Sequence, residues 1–402
     1  MNAFDEELHA RLDHLRDQGL RRQLRPVDSP QGTHLTVQGR PFLNFSSNDY
    51  LGLANEPAIK EAAKNALEKF GAGSGASRLI CGSLAPHHEL EENLARFKGV
   101  EAALAFSSGY ATAAGVIGAL LDSQDVIIVD KLVHACVVDA ARLCRAKLRV
   151  FAHNDLNDLE KILRWADTRD AEAAAAARRP RVLIVTESVF SMDGDQAPLR
   201  GLVDLKDRFG AWLMVDEAHA TGLFGRQRRG LAEECGVAHR IEVQMGTLGK
   251  ALGSAGGYVC GSRALIDYLI NTARSFIFST APVPAAAAAA TAAIRFVESA
   301  EGEQRRNRLW ENIELFRKSE FWRSDLPGAR PPPSGPIAPI IIGPEARAVE
   351  IADGLRDRGI FIPAIRYPTV PRGEARLRLT LCATHAGEDI TRLSRALVAA
   401  VK

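Results

Sequence analysis

Short, continuous apolar runs alternate with amphipathic stretches through the middle of this chain. The runs are Ala102–Phe106, Val126–Val129, Leu148–Phe151, Val182–Val185, Trp212–Val215, Val243–Met245 and Gly257–Cys260. Between most of them lie Thr112–Leu121, Ala135–Cys144, Leu156–Trp165 and Leu199–Phe209, which read as helices. Strands without alternating polarity are buried on both faces, so this order predicts an α/β fold with a mainly parallel sheet covered by helices.

The flanks follow other rhythms. Phe4 to Gly19 carries Leu8, Leu12 and Leu15 at helical spacing, as an N-terminal arm would. Pro57 opens a helix to Phe70, stopped by Gly71, and Pro86–Lys98 is stopped by Gly99. Pro282-Val283-Pro284 marks a boundary, after which a helical pattern runs to about Glu320. Pro331 to Pro336 cannot be helix interior. Ile337–Ile342 reads as a strand, Pro344–Arg358 as a helix, Arg376–Leu381 as a half-buried alternating strand, and Gly387–Val401 as a closing helix. Ala171–Pro180 reads as a helix extension or loop. The expected domains are an arm over 1–45, a large α/β domain over 46–282 and a smaller C-terminal α+β domain over 283–402.

Composition narrows the function. The 402 residues suit about two domains, and 46% hydrophobic with 25% charged residues is ordinary for a soluble globular chain. A net charge of +2 and 6% aromatics point away from nucleic acid. Cys81, Cys136, Cys144, Cys235, Cys260 and Cys382 form no Cys-x-x-Cys unit and no zinc spacing, so reduced cytoplasmic thiols and no metal are expected. Residues 1–20 lack signal-peptide character, and the alanine-rich stretch 284–293 is too short to span a bilayer, so no membrane association is expected.

The chemistry concentrates after residue 100. Asp216-Glu217-Ala218-His219 follows an apolar run, and Thr247-Leu248-Gly249-Lys250 follows the next one. A carboxylate can pair with a protonated pyridine nitrogen, an imidazole can reach a phenolic oxygen, and an amine can form an imine with an aldehyde. Those are the demands of pyridoxal phosphate. The same four-letter box occurs in helicase-type ATPases, which need a Gly-x-x-x-x-Gly-Lys-Ser/Thr loop upstream. Here Gly249-Lys250 lies downstream, with Gln244 for the first glycine and Ala251 for the hydroxyl, so that reading fails.

Other candidates gather at the same strand ends. Ser108, Gly109 and Tyr110 open a helix whose backbone N–H groups can face a phosphate, with Thr247 adding a hydroxyl. His134 starts a helix after Val126–Val129 and can stack on a flat ring, and Glu187-Ser188 adds a carboxylate and a hydroxyl. Each alone has a plainer structural reading, as a cap, turn or surface residue; their convergence carries the argument.

These segments, with Asn44 to Leu53, Gly71 to Arg78 and Gly82-Ser83-Leu84, resemble the α-oxoamine synthases. Those are pyridoxal-phosphate enzymes of the aspartate-aminotransferase-like fold (fold type I), whose large domain carries a seven-stranded mainly parallel sheet. The resemblance covers nearly the whole chain. It implies Lys250 as the imine-forming lysine and base, Asp216 on the ring nitrogen, His219 by the ring oxygen and His134 stacked on the ring. It implies Ser108, Gly109, Tyr110, Ser188 and Thr247 around the cofactor, and a homodimer in which Ser279 and Thr280 reach the partner's phosphate. Arg366 would clamp the amino acid's carboxylate with Asn48 nearby, and Arg21 or Arg22 would meet the distal carboxylate of the acyl chain.

Ala364 to Pro371 and Ala375 to Leu381 look most like the branch that condenses L-alanine with a pimeloyl thioester in biotin biosynthesis. Tyr367 departs toward the branch that makes 5-aminolevulinate from glycine, and the glycine-using branches that make 2-amino-3-ketobutyrate or 5-aminolevulinate stay open as alternatives. An aminotransferase, or a non-catalytic binding protein on the same fold, are the remaining alternatives.

Overall fold

A computed structural model describes residues 2–172, 178–324, 326 and 332–401. Residues 173–177 of the stretch Ala171–Pro180 and the start of the proline-rich loop therefore lie outside the described residues. The chain divides into two compact units, 53–191 with 195–306, and 1–52 with 192–194 and 307–402.

The larger unit holds all seven expected strands in one sheet. Side by side they run Ala102–Phe106, Gly257–Gly261, Val243–Thr247, Trp212–Asp216, Val182–Glu187, Val126–Asp130 and Lys147–Phe151. Gly257–Gly261 is antiparallel to both neighbours, and the other adjacent pairs are parallel. The mixed sheet thus has one reversed strand, and the ends Phe106, Asp130, Glu187, Asp216 and Thr247 share one edge. Val126–Asp130 is buried throughout: Ile127 and Val129 share a core with helices Gly109–Leu120 and Ala135–Leu143, and helix Leu156–Glu172 also packs on the strand. Truncating a core residue such as Ile117, fully buried, to alanine would cost about 2–5 kcal/mol.

Helix Ala85–Lys98 ends as its sequence says. Gly99 takes the left-handed φ of 70°, and Val100 N–H closes onto Ala95 O at 3.0 Å. The pattern from Pro284 to Glu320 is not one helix. It breaks at Ser299, whose hydroxyl donates to Phe296 O at 2.7 Å and accepts from Gly302 N–H at 3.1 Å, ending Pro284–Glu298 and starting Ala300–Arg317. Helix Pro284–Glu298 packs on helices Pro57–Phe70 and Ala85–Lys98, so it groups with the larger unit rather than starting the smaller one at 283.

The smaller unit contains two three-stranded sheets. One joins His34–Val37, Arg40–Asn44 and Ile360–Phe361; the other joins Ile337–Gly343, Ala375–Thr380 and Ala364–Ile365. Helices Glu345–Asp357 and Gly387–Val401 complete it. Strand Ala375–Thr380 is not half-buried, since every residue in it is buried. Its arginines are taken inside by partners: Arg376 donates to Asp193 at 2.6 Å, and Arg378 to Asn48 at 3.1 Å. Helix Ala3–Asp17 has no buried residue. Among the described residues no helix is long and apolar enough to cross a membrane, and the six cysteines are free thiols.

Candidate active site

The parallel register sets Glu187 opposite Asp216 at adjacent strand ends. The chain turns after Asp216, where Ala218 N–H donates to Asp216 Oδ1 at 2.9 Å, and that turn carries His219. Lys250 comes from the loop after the next strand, and its Nζ lies 2.9 Å from His219 Nε2. The loop is a stiff support. Leu248 N–H donates to Gly256 O, Gly253 N–H to Lys250 O, and Ser254 N–H to Leu248 O, each at 2.9 Å. Gly253 has φ of 60°, and a Cβ there would meet Leu53 C and Ala54 N at 2.4 Å, so only glycine fits.

His134 caps helix Ala135–Leu143. Its Nδ1 accepts from Cys136 N–H at 3.2 Å and lies 3.0 Å from Cys136 Sγ. A nitrogen that accepts carries no proton, so the neutral ring is protonated at Nε2. Burial, and then the Lys250 charge, lower the His134 pKa. Burial, reinforced by Asp216, pushes the Cys136 thiol up to about 12, so it stays a donor.

Two buried carboxylates face this lysine. Burial raises the Asp216 pKa, and Lys250 works against it. Burial and then Asp216 push Glu187 up to about 8. Glu187 is nevertheless an acceptor at both oxygens, from His134 N–H at 2.6 Å and Ser191 N–H at 3.2 Å. Such a pair favours a bound cation in front of it. A protonated pyridine nitrogen is a group of that kind.

At the start of helix Gly109–Leu120, Ser108 Oγ accepts from Ala111 N–H at 3.1 Å. The first N–H groups of a helix have no partner within it and suit an anion. Added bulk at Gly109 would find Thr247 Cβ nearest, at 3.8 Å, so the mouth is roomy. Thr247 Oγ1 donates to Gly256 O at 3.0 Å, and Tyr110 OH to Asp139 at 2.9 Å. The donor set therefore fits pyridoxal phosphate: amine, acid, imidazole and anion-binding helix start all stand on one sheet edge.

The remaining expected residues are placed differently. The Ser188 hydroxyl donates to Asp216 O at 3.2 Å and is buried, so it braces the acid's backbone. Thr280 forms a bridge with Ser77 on an exposed loop, beside Ser279. In the smaller unit, Arg366 donates to Gly19 O and Arg22 to Tyr367 O at 2.9 Å. Burial and the neighbouring Arg22 lower the Arg366 pKa. Arg21 is exposed on the same arm. Asn48 accepts from Arg378 and Tyr50. Sequence reasoning did not give Cys136 a role, and it noted Glu187 without its two backbone partners.

The chain matches the model for aminotransferase class I and II over residues 40–397. It is 48% identical to 8-amino-7-oxononanoate synthase from Geobacter sulfurreducens, over 96% of this chain and 95% of the relative. Among solved structures, serine palmitoyltransferase from S. paucimobilis with a bound PLP–myriocin aldimine superposes with a TM-score of 0.90 at 28% identity, covering 100% of this chain and 98% of the other. 8-Amino-7-oxononanoate synthase from Francisella tularensis gives 0.73 at 28% identity, covering 90% and 97%.

Proposed function

The chain belongs to the class I and II aminotransferase family and to its α-oxoamine synthase branch, and from that premise we propose a pyridoxal-phosphate-dependent acyltransferase that condenses L-alanine with a pimeloyl thioester. The products are 8-amino-7-oxononanoate, carbon dioxide and coenzyme A (or the thiol of a carrier protein), a step of biotin biosynthesis. The observation that carries the chemistry is Lys250 Nζ at 2.9 Å from His219 Nε2, with buried Asp216 one turn away. Relatives of this name that match nearly end to end support the substrates.

Bound cofactor would supply an electron-withdrawing ring that stabilises negative charge at the α-carbon of alanine. Asp216 holds the proton on the ring nitrogen, because removing that proton would leave a buried acid without its cation. His219 and His134 would hold the ring, and Ser108, Gly109, Tyr110 and Thr247 would hold the phosphate. Lys250 would hold the aldehyde end of the cofactor, and its Nζ is the group placed to withdraw the α-proton as general base. Arg366 grips the amino acid's carboxylate with two parallel N–H groups. The α-carbon then bonds to the thioester carbonyl, the C–S bond breaks and the thiol takes a proton. Loss of carbon dioxide and return of a proton to the same carbon complete the balance.

The working form is a cytoplasmic homodimer, with Ser279 and Thr280 completing the partner's phosphate site, and Arg21 or Arg22 receiving the distal acyl carboxylate. The test is a matrix of amino acid and thioester with thiol release and product mass as readouts. Alanine with pimeloyl-CoA should give thiol release and the amino ketone. Release with glycine alone would move the chain to a glycine-using branch, and amino exchange with a keto acid would make it an aminotransferase.

A further inference from the structure

One letter of the Asp216-Glu217-Ala218-His219 box takes no part in the chemistry above. Asp216 and His219 serve the lysine side of the turn, while Glu217 between them runs into the protein. Its Oε2 accepts from Lys98 Nζ at 2.5 Å and its Oε1 from Ala232 N–H at 2.8 Å. Lys98 also donates to Arg229 O at 2.5 Å, and both side chains are 1% exposed. Burial is the largest single influence and works to strip the ammonium of its proton, but the charge and hydrogen bond of Glu217, with Tyr258 and Cys260 nearby, together outweigh it and raise the Lys98 pKa.

The backbone of Glu217 is equally committed. Its N–H donates to Met245 O at 2.8 Å, and its carbonyl accepts from Ala220 N–H at 3.0 Å and Thr221 N–H at 2.9 Å. Gly230, at φ of 138°, gives way to the carboxylate: a Cβ there would meet Glu217 Oε2 at 2.2 Å. The fold therefore reserves space for this one carboxylate beside the last residue of helix Ala85–Lys98.

A buried ion pair is a poor source of net stability, because desolvating two charges offsets most of their attraction. A pair of apolar side chains would fill the space as well. What charge and fixed hydrogen bonds add is direction. A binding constellation works only when its groups are held within about half an ångström.

We propose that the Lys98–Glu217 pair is a positioning device for the cofactor-binding turn, fixing Glu217 from behind so that Asp216 and His219 keep their separation and direction in front. This rests on the cofactor reading given above. Neither residue touches the cofactor, so both act through the turn.

The experiment compares Lys98→Met, Glu217→Gln, the double variant and Leu269→Ala, a core truncation on helix Arg263–Thr272, which bears neither Lys98 nor the turn. Cofactor dissociation constant, visible band of the loaded protein, and thermal midpoint are measured, together with hydrogen exchange over residues 214–224 of the cofactor-free protein. Lys98→Met should weaken pyridoxal phosphate roughly tenfold or more and move its band, because a lone buried charge must be relieved. The double variant should recover most of the affinity, since no charge is left alone. Leu269→Ala should lose thermal stability with the band unmoved. Unchanged affinity and band in Lys98→Met, or changes matched by Leu269→Ala, would overturn the proposal. Glu217→Gln, which keeps the Ala232 contact, reads out the same effect should Lys98→Met fold poorly. If the parent protein binds no cofactor, the cofactor reading fails on its own. The pin is then judged by exchange: it stands if Lys98→Met loses protection within 217–221, and falls if it does not.

Discussion

Lys250 Nζ and His219 Nε2 stand 2.9 Å apart, from loops that follow two adjacent parallel strands. An ammonium has only donors, so this imidazole nitrogen accepts and its proton sits on Nδ1. The lysine thus stands against an imidazole nitrogen from the neighbouring loop, which fixes the place of its terminal nitrogen. Lys250→Ala should bind pyridoxal phosphate without covalent capture. Borohydride treatment followed by intact-mass measurement checks this: the parent gains a fixed cofactor mass, and the variant gains none. A fixed mass in the variant would remove Lys250 from its role.

Glu187 ties two loops to the strand end beside Asp216, through His134 N–H and Ser191 N–H. Glu187→Gln keeps the shape but turns one acceptor into a donor facing a donor. A buried polar group left unsatisfied costs about 1–3 kcal/mol. The expected outcome is a lower urea midpoint and faster hydrogen exchange at residues 134 and 191. Unchanged exchange at both amides would show that the carboxylate does not hold them.

The strands were legible because a run such as Val182–Glu187 is buried on both faces and carries nothing polar until its functional end. Lys250, Asp216 and His219 were legible because short loops after neighbouring strands bring them together. What stayed hidden depends on partners remote in the chain. Arg376 and Arg378 look like the wet side of an alternating strand, but Asp193 and Asn48, placed by the fold, accept from them inside, with Glu374 as a local partner of Arg376. The break at Ser299 was a different omission. A serine followed two residues on by Glu301 is a local helix-start signal, and the alanine-rich run before it masked that signal.

Gly253 lies three residues beyond Lys250 with no room for a methyl group and a left-handed backbone. Gly253→Ala meets both penalties, because the conformation alone costs a non-glycine residue about 1–2 kcal/mol and the clash at 2.4 Å is with backbone that cannot swing aside. The variant should lose cofactor affinity by more than its thermal midpoint would suggest, since the strain falls on the lysine's own loop. Titration with pyridoxal phosphate beside a melting curve separates the two; parent-like affinity would show that the loop adapts.

His385 gives the smaller unit a pH dependence of definite sign. It is stacked on Phe45 at 4.2 Å between ring centroids, accepts from Cys382 N–H at 2.9 Å, and donates to Asn44 O at 2.9 Å. Burial lowers its pKa from 6.5 to about 4. Below pH 6.5 the unfolded chain takes up a proton that the folded chain refuses, so stability falls as pH drops from 6.5 toward 4 and the loss levels off below that. The full excursion is worth about 3 kcal/mol. His385→Gln removes the titration while keeping a donor and an acceptor. Urea unfolding at pH 7, 5.5 and 4.5 should show a shallower fall for the variant than for the parent, whatever their offset at pH 7. Parallel lines would mean that His385 takes up its proton alike in the folded and unfolded protein.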